Sequence, residues 1–195
     1  MENYSVLMSV YYKEQAENLR EAIDSILNQT VKTNEFIIVK DGPLTEKLDN
    51  TIKEYVEEYP GVFKIITLEK NMGLAKALNK GIEQCSNEII ARMDSDDISM
   101  PDRMERQLEA MEANRADILS GTIVEFDESV DKPTAKRELP EKNEQIIEFA
   151  KKRSPFNHPA VMYKKSSVLK SGLYEDYTYF EDYNLWATML NDGCI

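Results

Sequence analysis

Three aspartates stand within four positions in the run Met93-Asp94-Ser95-Asp96-Asp97. Two carboxylates spaced by one residue at a strand end can point together into a cleft, where a divalent cation with oxygen ligands relieves the repulsion between them. Asp94 and Asp96 therefore predict a metal–diphosphate site. A solvated acidic turn or helix N-terminus would also fit the pattern, but ligands bind at the carboxyl edge of parallel sheets, which favours the metal site.

Two further polar stretches follow the first two predicted strands. Tyr11-Tyr12-Lys13-Glu14 follows the first strand, and neither Gly-x-Gly-x-x-Gly nor a Walker lysine loop occurs there. This disfavours dinucleotide oxidoreductases and P-loop phosphotransferases. Lys40-Asp41-Gly42 follows the second strand. Gly42 permits a tight turn, and Asp41 could accept hydrogen bonds from a base or ribose, although an ordinary strand-ending turn explains these residues equally well.

Glu181 and Asp182 open a helical pattern near the C-terminal end of the chain. The helix macrodipole favours carboxylates at this position, so capping alone would explain them, and a general base is the rival interpretation. His158 is the only histidine and lies between Asn157 and Pro159. It could orient a phosphate, ligate a metal or satisfy a turn.

Short apolar runs that alternate with helical patterns must position these residues. Residues 6–10 and 36–39 are typical of strands buried on both faces, and the apolar residues at 16–27 recur at the spacing of one helix face. The alternation continues through a helix at 45–59, a strand at 63–68, a helix at 74–84 and a strand at 88–93. It predicts an α/β fold with a mainly parallel sheet and helices on both faces.

The pattern is less regular after Met93. Pro101 predicts the first turn of a helix that ends near Asn114. Residues 125–140 are polar and contain two prolines, which predicts a long and mobile surface loop. We expect strands at 118–124 and 160–163 and helices at 141–151 and 181–190.

Composition narrows the class of protein. The chain has 195 residues, enough for one sizeable core, and 24 Lys plus Arg against 36 Asp plus Glu give a net charge of −12. This charge argues against nucleic-acid binding. No apolar run is long enough to span a membrane and the start lacks a signal peptide, so we expect a cytoplasmic protein. Cys85 and Cys194 are interpreted as ordinary thiols.

Five motifs occur in order along almost the whole chain, from Ser5 to about Gly193. Together they resemble the inverting nucleotide-sugar glycosyltransferases of family 2, which have the GT-A fold. Residues 39–45 are similar to a subgroup of bacterial polysaccharide-assembly enzymes, while Lys40 and Pro43 depart from the family's frequent aspartate and serine. The motifs are Ser25-Ile26-Leu27-Asn28-Gln29-Thr30, Ile38-Val39-Lys40-Asp41-Gly42, Asn71-Met72-Gly73-Leu74-Ala75-Lys76-Ala77-Leu78-Asn79, Met93-Asp94-Ser95-Asp96-Asp97 and Glu181-Asp182-Tyr183-Asn184-Leu185-Trp186.

The resemblance implies roles for individual residues. Tyr11 and Asp41 are expected to contact the nucleoside of the donor. Asp94 and Asp96 are expected to hold Mg²⁺ or Mn²⁺ against the diphosphate, and Asp182 is expected to be the general base of a single inverting displacement.

Three more residues are weaker candidates. Arg92 and Lys76 could add positive charge near the diphosphate, but an arginine beside an acidic turn could equally form a structural ion pair. Glu181 is the next candidate for the base after Asp182.

The implied partners are a nucleoside-diphosphate sugar and a saccharide or lipid-linked saccharide acceptor, in cell-surface polysaccharide biosynthesis. Peripheral contact with the inner face of the membrane stays open. We expect residues 1–195 to form a single catalytic domain, with truncation at the C-terminus left open.

Three other classes of protein compete with this interpretation. A non-catalytic nucleotide-sugar-binding module would keep the fold without the base. A phosphatase of the haloacid dehalogenase class also uses Asp-x-Asp after a strand, but normally after its first strand and with threonine or valine where this chain has Ile98. A sugar-phosphate nucleotidyltransferase would need a glycine-rich, arginine-bearing loop after the first strand, which this chain lacks.

Overall fold

The computed structural model describes residues 2–127 and 130–195. The strands in these residues are β1 (Tyr4–Val10), β2 (Glu35–Lys40), β3 (Phe63–Thr67), β4 (Ile89–Met93), β5 (Ile118–Ser120), β6 (Ile123–Phe126), β7 (Pro133–Arg137) and β8 (Val161–Lys164). Six of them form the central sheet in the order β3-β2-β1-β4-β8-β5. β1 to β4 run parallel, and β8 is antiparallel to both β4 and β5. The mainly parallel sheet is therefore confirmed.

Helices connect the parallel strands, as the alternating pattern predicts. In the described residues they are α1 (Ala16–Leu27), α2 (Glu46–Glu58), α3 (Leu74–Gln84), α4 (Arg103–Asn114), α5 (Asn143–Ala150), α6 (Lys165–Lys170) and α7 (Glu181–Asn191), with a 3-10 turn at His158–Ala160. Thr45 caps α2 by accepting the backbone N–H of Leu48. None of these helices is long and apolar enough to cross a bilayer.

The core lies on both faces of the sheet, because successive side chains of a buried strand point to opposite faces. Val6 and Met8 of β1 belong to one apolar cluster with Ile23 of α1. Leu7 belongs to the other cluster, with Leu78 of α3. Helices on both faces, expected from strands that are apolar at consecutive positions, are thus confirmed.

Residues 118–140 differ from expectation. The single strand expected at 118–124 is wrong: β5 ends at Ser120, and β6 belongs to a separate two-stranded sheet. The chain leaves the central sheet at Gly121, whose backbone groups bond to Ala160 and Asn157 rather than to a strand neighbour.

The loop expected at 125–140 is also wrong in part, because β7 pairs antiparallel with β6 there. All five residues of β7 are exposed, so no apolar alternation signals the strand in the sequence. Glu128 and Ser129 of the expected loop lie outside the described residues. Helix α6, which follows β8 directly, was not expected either.

Candidate active site

The carboxyl ends of β1, β2 and β4 lie side by side, since β1 pairs with β2 on one side and with β4 on the other. The residues that follow these ends are Tyr11, Asp41 and Asp94. One edge of the sheet therefore brings together the three stretches that the sequence singles out, as expected for an open parallel sheet.

Asp94, Asp96 and Asp97 form a compact acidic cluster at the end of β4. Each offers a carboxylate oxygen, and the three oxygens lie within 4.8 Å of one another. Burial, followed by the negative charges of Asp94 and Asp96, raises the pKa of Asp97 to about 6. Burial and the nearby Asp94 and Glu14 also raise the pKa of Asp96. An all-oxygen cluster whose members repel one another fits a hard divalent cation such as Mg²⁺ or Mn²⁺.

Arg92 lies beneath this cluster, on β4, and is only 1% exposed. Its Nη1 donates to Asp94 Oδ2 at 2.7 Å, and its Nη2 donates to Asp94 Oδ1. Both carboxylate oxygens of Asp94 thus have a donor on the protein side. Arg92 forms the ion pair that the sequence left as an alternative, and a contact between Arg92 and the diphosphate stays a prediction.

A second buried arginine supports the first. Arg103 of α4 donates from Nη2 to the backbone oxygen of Arg92 at 2.8 Å and from Nε to Gln107 at 3.0 Å. Burial and the positive charge of Arg92 lower the pKa of Arg103 to about 10. Arg103 ties α4 to the strand that carries Asp94, and sequence reasoning missed it because an arginine in the first turn of a helix carries no distinctive signal.

Asp41 is 4% exposed at the end of β2, where it holds the N-terminus of α3. The backbone N–H groups of Met72 and Gly73 donate to its two carboxylate oxygens at 2.6 Å and 3.1 Å. Gly42, at φ +88°, makes the close approach possible, since a Cβ there would lie 2.5 Å from the backbone nitrogen of Asn71. A structural role is established by these contacts, and the contact with the nucleoside stays a prediction.

The loop after β1 closes another side of the acidic cluster. Tyr11 is 42% exposed and packs edge-on against Tyr12. Further along the same loop, Glu14 accepts a hydrogen bond at 2.8 Å from the hydroxyl of Ser95, which lies between Asp94 and Asp96. Tyr11 therefore presents an open ring at the edge that carries the acidic cluster.

Asp182 lies in the first turn of α7 and is partly buried, with Glu181 beside it. The described contact of its side chain is a long hydrogen bond of 3.4 Å from the Ser154 hydroxyl to Oδ2. The residue at the N-cap is Phe180, which makes no side-chain capping bond. A carboxylate with one weak donor has lone pairs left to accept further hydrogen bonds.

Tyr174 relates Asp182 to Asp94. Burial raises the pKa of the Tyr174 hydroxyl, the positive charge of Arg92 lowers it, and the negative charges of Asp182 and Asp94 raise it further. All three charged groups therefore lie close enough to Tyr174 to act on it. The charges of both carboxylates to which the sequence assigns the metal and the base thus act on one buried tyrosine, which sequence reasoning did not single out.

His158 belongs to this buried layer. Its Nε2 lies 3.0 Å from the Tyr174 hydroxyl, and its ring contacts Tyr174 and Trp186. Burial and the charge of Arg92 lower the pKa of His158 well below 6.5, so the ring is neutral near pH 7. Among the residues described, His158 packs with aromatic rings, while the acidic cluster consists of aspartates alone. A contact with phosphate or metal stays a prediction.

Lys76 lies in the first turn of α3, near the N-terminus that Asp41 holds. Its Nζ forms an exposed ion pair with Asp176 at 2.8 Å. The contact that the structure gives Lys76 is therefore to the segment that leads into α7.

The profile of glycosyl transferase family 2 matches residues 5–178, so the chain belongs to this family. It is 43% identical over 191 residues to the amylovoran biosynthesis glycosyltransferase AmsE of Erwinia amylovora, covering 97% of this chain and 70% of the relative. It is 41% identical over 192 residues to the UDP-Gal:alpha-D-GlcNAc-diphosphoundecaprenol beta-1,3-galactosyltransferase of Escherichia coli, covering 98% and 69%.

Solved structures share the fold. The mannosyltransferase PcManGT of Pyrobaculum calidifontis, solved with GDP-Man and Mn²⁺, superposes with a TM-score of 0.73 at 15% identity, over 100% of this chain and 53% of that one. S. aureus TarS residues 1–349 with UDP-GlcNAc give 0.71 at 18%, over 97% and 54%. The chain thus spans about half the length of these two structures. It is a glycosyltransferase with the GT-A fold, as the ordered motifs imply, and the phosphatase alternative is set aside.

Proposed function

We propose that the protein transfers a sugar from a nucleoside-diphosphate-sugar donor to a hydroxyl group of an acceptor, with inversion at the anomeric carbon, and that residues 1–195 act as one catalytic domain. The observation that carries this proposal is the pairing of an acidic cluster at the end of β4 with a second carboxylate, Asp182, which has one long hydrogen bond and lies in the first turn of α7, the helix whose Trp186 packs against Tyr174. The acidic cluster would serve the diphosphate of the donor, and Asp182 would serve the hydroxyl of the acceptor.

The donor side rests on Asp94 and Asp96, which would hold Mg²⁺ or Mn²⁺. The cation, when bound, supplies Lewis-acid stabilisation of the nucleoside diphosphate leaving group. Both oxygens of Asp94 accept hydrogen bonds from the buried Arg92. Asp96 is exposed, so its carboxylate is more available to a cation from solvent. Tyr11 supplies an open aromatic face for the nucleoside base, and Asp41 fixes the α3 end beside it.

The acceptor side rests on Asp182. Its carboxylate accepts the proton of the acceptor hydroxyl while that oxygen attacks the anomeric carbon, and the leaving group departs on the opposite face. Single displacement at one carbon inverts its configuration. Ser154 donates a long hydrogen bond to Oδ2, which leaves other lone pairs of the carboxylate for the acceptor hydroxyl.

The named relatives support a role in surface polysaccharide assembly. One is named for amylovoran biosynthesis, and another is named for transfer to a sugar on a diphosphoundecaprenol lipid. We infer that the acceptor of this protein is a saccharide or lipid-linked saccharide, and that the reaction takes place in the cytoplasm at the inner face of the membrane.

A thermal-shift screen of UDP, GDP, ADP and CDP with and without Mn²⁺ tests the donor side. At least one nucleotide is expected to raise the melting temperature in the presence of Mn²⁺ and to lose this effect with chelator. The matched control is Glu109→Gln, which removes an exposed carboxylate on α4. Equal shifts with and without the cation would contradict the proposed donor site.

A further inference from the structure

Three large aromatic side chains stand open to solvent within four consecutive positions. Tyr177 is 53% exposed, Tyr179 is 88% exposed and Phe180 is 62% exposed. Nowhere else in residues 2–127 and 130–195 do three large, exposed apolar side chains fall so close together in the chain. Exposed aromatic clusters are uncommon on monomeric surfaces and mark contact sites. We call Tyr177–Phe180 the aromatic segment.

Both ends of the aromatic segment are fixed to the site. Before it, buried Tyr174 exchanges two hydrogen bonds with Asn79 of α3, at 2.8 Å and 2.9 Å, and Asp176 pairs with Lys76. After it, α7 begins at Glu181 and is anchored by the fully buried Leu185 and Trp186. The six residues 175–180 between these anchors are all exposed. The segment that carries the rings is therefore fixed to the donor-side helix α3 at one end and leads directly into the first turn of α7, which carries Asp182, at the other.

The backbone of the aromatic segment is constrained as well. Tyr179 has φ +68°, a left-handed conformation that is unfavourable for a bulky residue. The turn is closed by the N–H of Phe180, which donates to the Tyr177 oxygen at 2.7 Å. A conformation of this kind persists only where the surroundings determine it, so the 88% exposed ring of Tyr179 is presented by a defined turn.

The charges around the aromatic segment distinguish between two candidate partners, an anionic membrane surface and a neutral sugar. Four carboxylates, those of Glu175, Asp176, Glu181 and Asp182, flank the three rings, and Lys76 pairs with that of Asp176, so the surface stays net negative. A negative surface is repelled by anionic lipid headgroups, which attract basic segments instead. A neutral sugar suits both features, because the C–H face of a pyranose packs on an aromatic ring while its hydroxyls donate to carboxylates.

We propose that Tyr177, Tyr179 and Phe180 form the platform on which a pyranose ring of the acceptor packs, next to Asp182. This inference rests on the proposed function, in which Asp182 receives the proton of the acceptor hydroxyl. Packing on the platform strengthens the binding of the acceptor through a part of the sugar that does not react. It also positions the attacking hydroxyl against the carboxylate of Asp182.

Saturation-transfer NMR with methyl glycosides of glucose, galactose, mannose and N-acetylglucosamine tests the platform, in the presence of diamagnetic Mg²⁺ and whichever of UDP, GDP, ADP or CDP binds. Irradiation of aromatic protons is expected to saturate the ring protons of at least one glycoside. Tyr179→Ala and Phe180→Ala are each expected to weaken that glycoside about tenfold, the size of a moderate contact hot spot. Phe126→Ala, an exposed ring on β6 of the separate two-stranded sheet, is the matched control and should have no effect.

Tyr179→Gly separates binding from folding. Glycine adopts positive φ without strain, so this variant is expected to melt at or above the temperature of the unchanged protein and still to bind the glycoside about tenfold more weakly. Absence of saturation for all four glycosides, or equal saturation in the alanine variants, would overturn the platform. The platform would also be overturned if no glycoside bound and the protein instead floated with vesicles of phosphatidylethanolamine and phosphatidylglycerol in a way that required Tyr179 and Phe180. Loss of nucleotide binding in every condition would instead contradict the proposed function.

Discussion

The guanidinium of Arg92 donates to both carboxylate oxygens of Asp94 from inside the sheet. Arg92 is 1% exposed, whereas the side chain of Asp94 is 36% exposed. One partner of the pair is therefore buried and the other is partly exposed. Asp94 therefore stabilises the fold in addition to its proposed role in the cation site. Substitution of Asp94 and of Asp96 should for this reason have different effects on stability.

Asp94→Ala is expected to lower the free energy of unfolding. It leaves Arg92 buried without its anion, which costs about 1–3 kcal/mol where one partner is partly solvated. Urea denaturation measures this loss. Arg92→Met in the same background should recover part of it, since no unpaired charge then remains in the sheet. An Asp94→Ala protein as stable as the unchanged one would contradict the structural role of the pair.

Asp96→Asn is expected to behave in the opposite way. Burial of its carboxyl group and the charges of Asp94 and Glu14 disfavour the ionised form of Asp96, so its neutralisation should leave stability unchanged or slightly higher. The proposed cation site loses a ligand, and Mn²⁺-dependent nucleoside diphosphate affinity should fall at least about tenfold. Calorimetric titration with UDP and Mn²⁺ measures this, with Glu109→Gln as the control. The same affinity in the variant would remove Asp96 from the site.

Asp41→Ala tests a residue with two assigned roles. Its carboxylate accepts two backbone N–H groups at the start of α3, so alanine should destabilise the protein by about 1–2 kcal/mol, as for loss of a helix cap. Asp41→Asn keeps one acceptor and should lose less. If Asp41 also contacts the nucleoside, UDP affinity of the folded Asp41→Asn protein falls as well. Unchanged affinity would assign Asp41 to folding alone.

The positions of the principal site residues could be predicted from the sequence because strand ends are local signals. The apolar runs before Tyr11, Asp41 and Asp94 predict buried parallel strands, and topology brings the residues after them to one edge. The partners of those residues could not be predicted. Asp41 bonds to Met72 and Gly73, more than thirty positions away, and no local pattern encodes such a pairing.

Other features depend on packing that a pattern does not report. In β4, Arg92 pairs in register with Leu7, which places it on the face covered by α3 and α7. An arginine in an apolar run carries no sign of which face it occupies until the register is known. The two-stranded sheet of β6 and β7 was missed for a related reason, since β7 is exposed along its whole length.

His158 predicts a pH dependence of stability. Its pKa in the folded protein is lowered well below 6.5 by burial and by Arg92, so between these two values the unfolded chain binds a proton that the folded protein does not. The contribution of His158 to stability is therefore full above about pH 6.5 and falls as the pH drops below it, by up to about 1.4 kcal/mol per pH unit. Asp97, whose pKa is raised to about 6, contributes in the opposite direction over the lower part of this range, so the His158 contribution is read as the difference from a variant without histidine. Urea denaturation at several pH values from 7.5 to 5, the range in which histidine titrates, measures how the free energy of unfolding changes with pH.

The control for this prediction is His158→Gln. The chain has one histidine, so the variant removes histidine titration entirely. Its stability should fall less than that of the unchanged protein as the pH drops below 6.5, even if it is lower throughout because the contact with Tyr174 is altered. An NMR titration that gives the folded His158 ring a pKa of 6.5 or higher would contradict the prediction.

Asp182→Asn separates a catalytic carboxylate from one that only favours the helix terminus. The general base is needed to activate the acceptor but not to hold the donor, so the variant should abolish transfer and leave Mn²⁺-dependent nucleoside diphosphate affinity nearly unchanged. Asparagine has the same shape and can still accept from Ser154, so stability should change little. Glu181→Gln, one position earlier on α7, is the matched control and should retain transfer. The assay belongs in the longest available version of the protein, with donor hydrolysis as a second measurement. Transfer by Asp182→Asn at the unchanged rate would refute the assignment of the base and make Glu181 the next candidate.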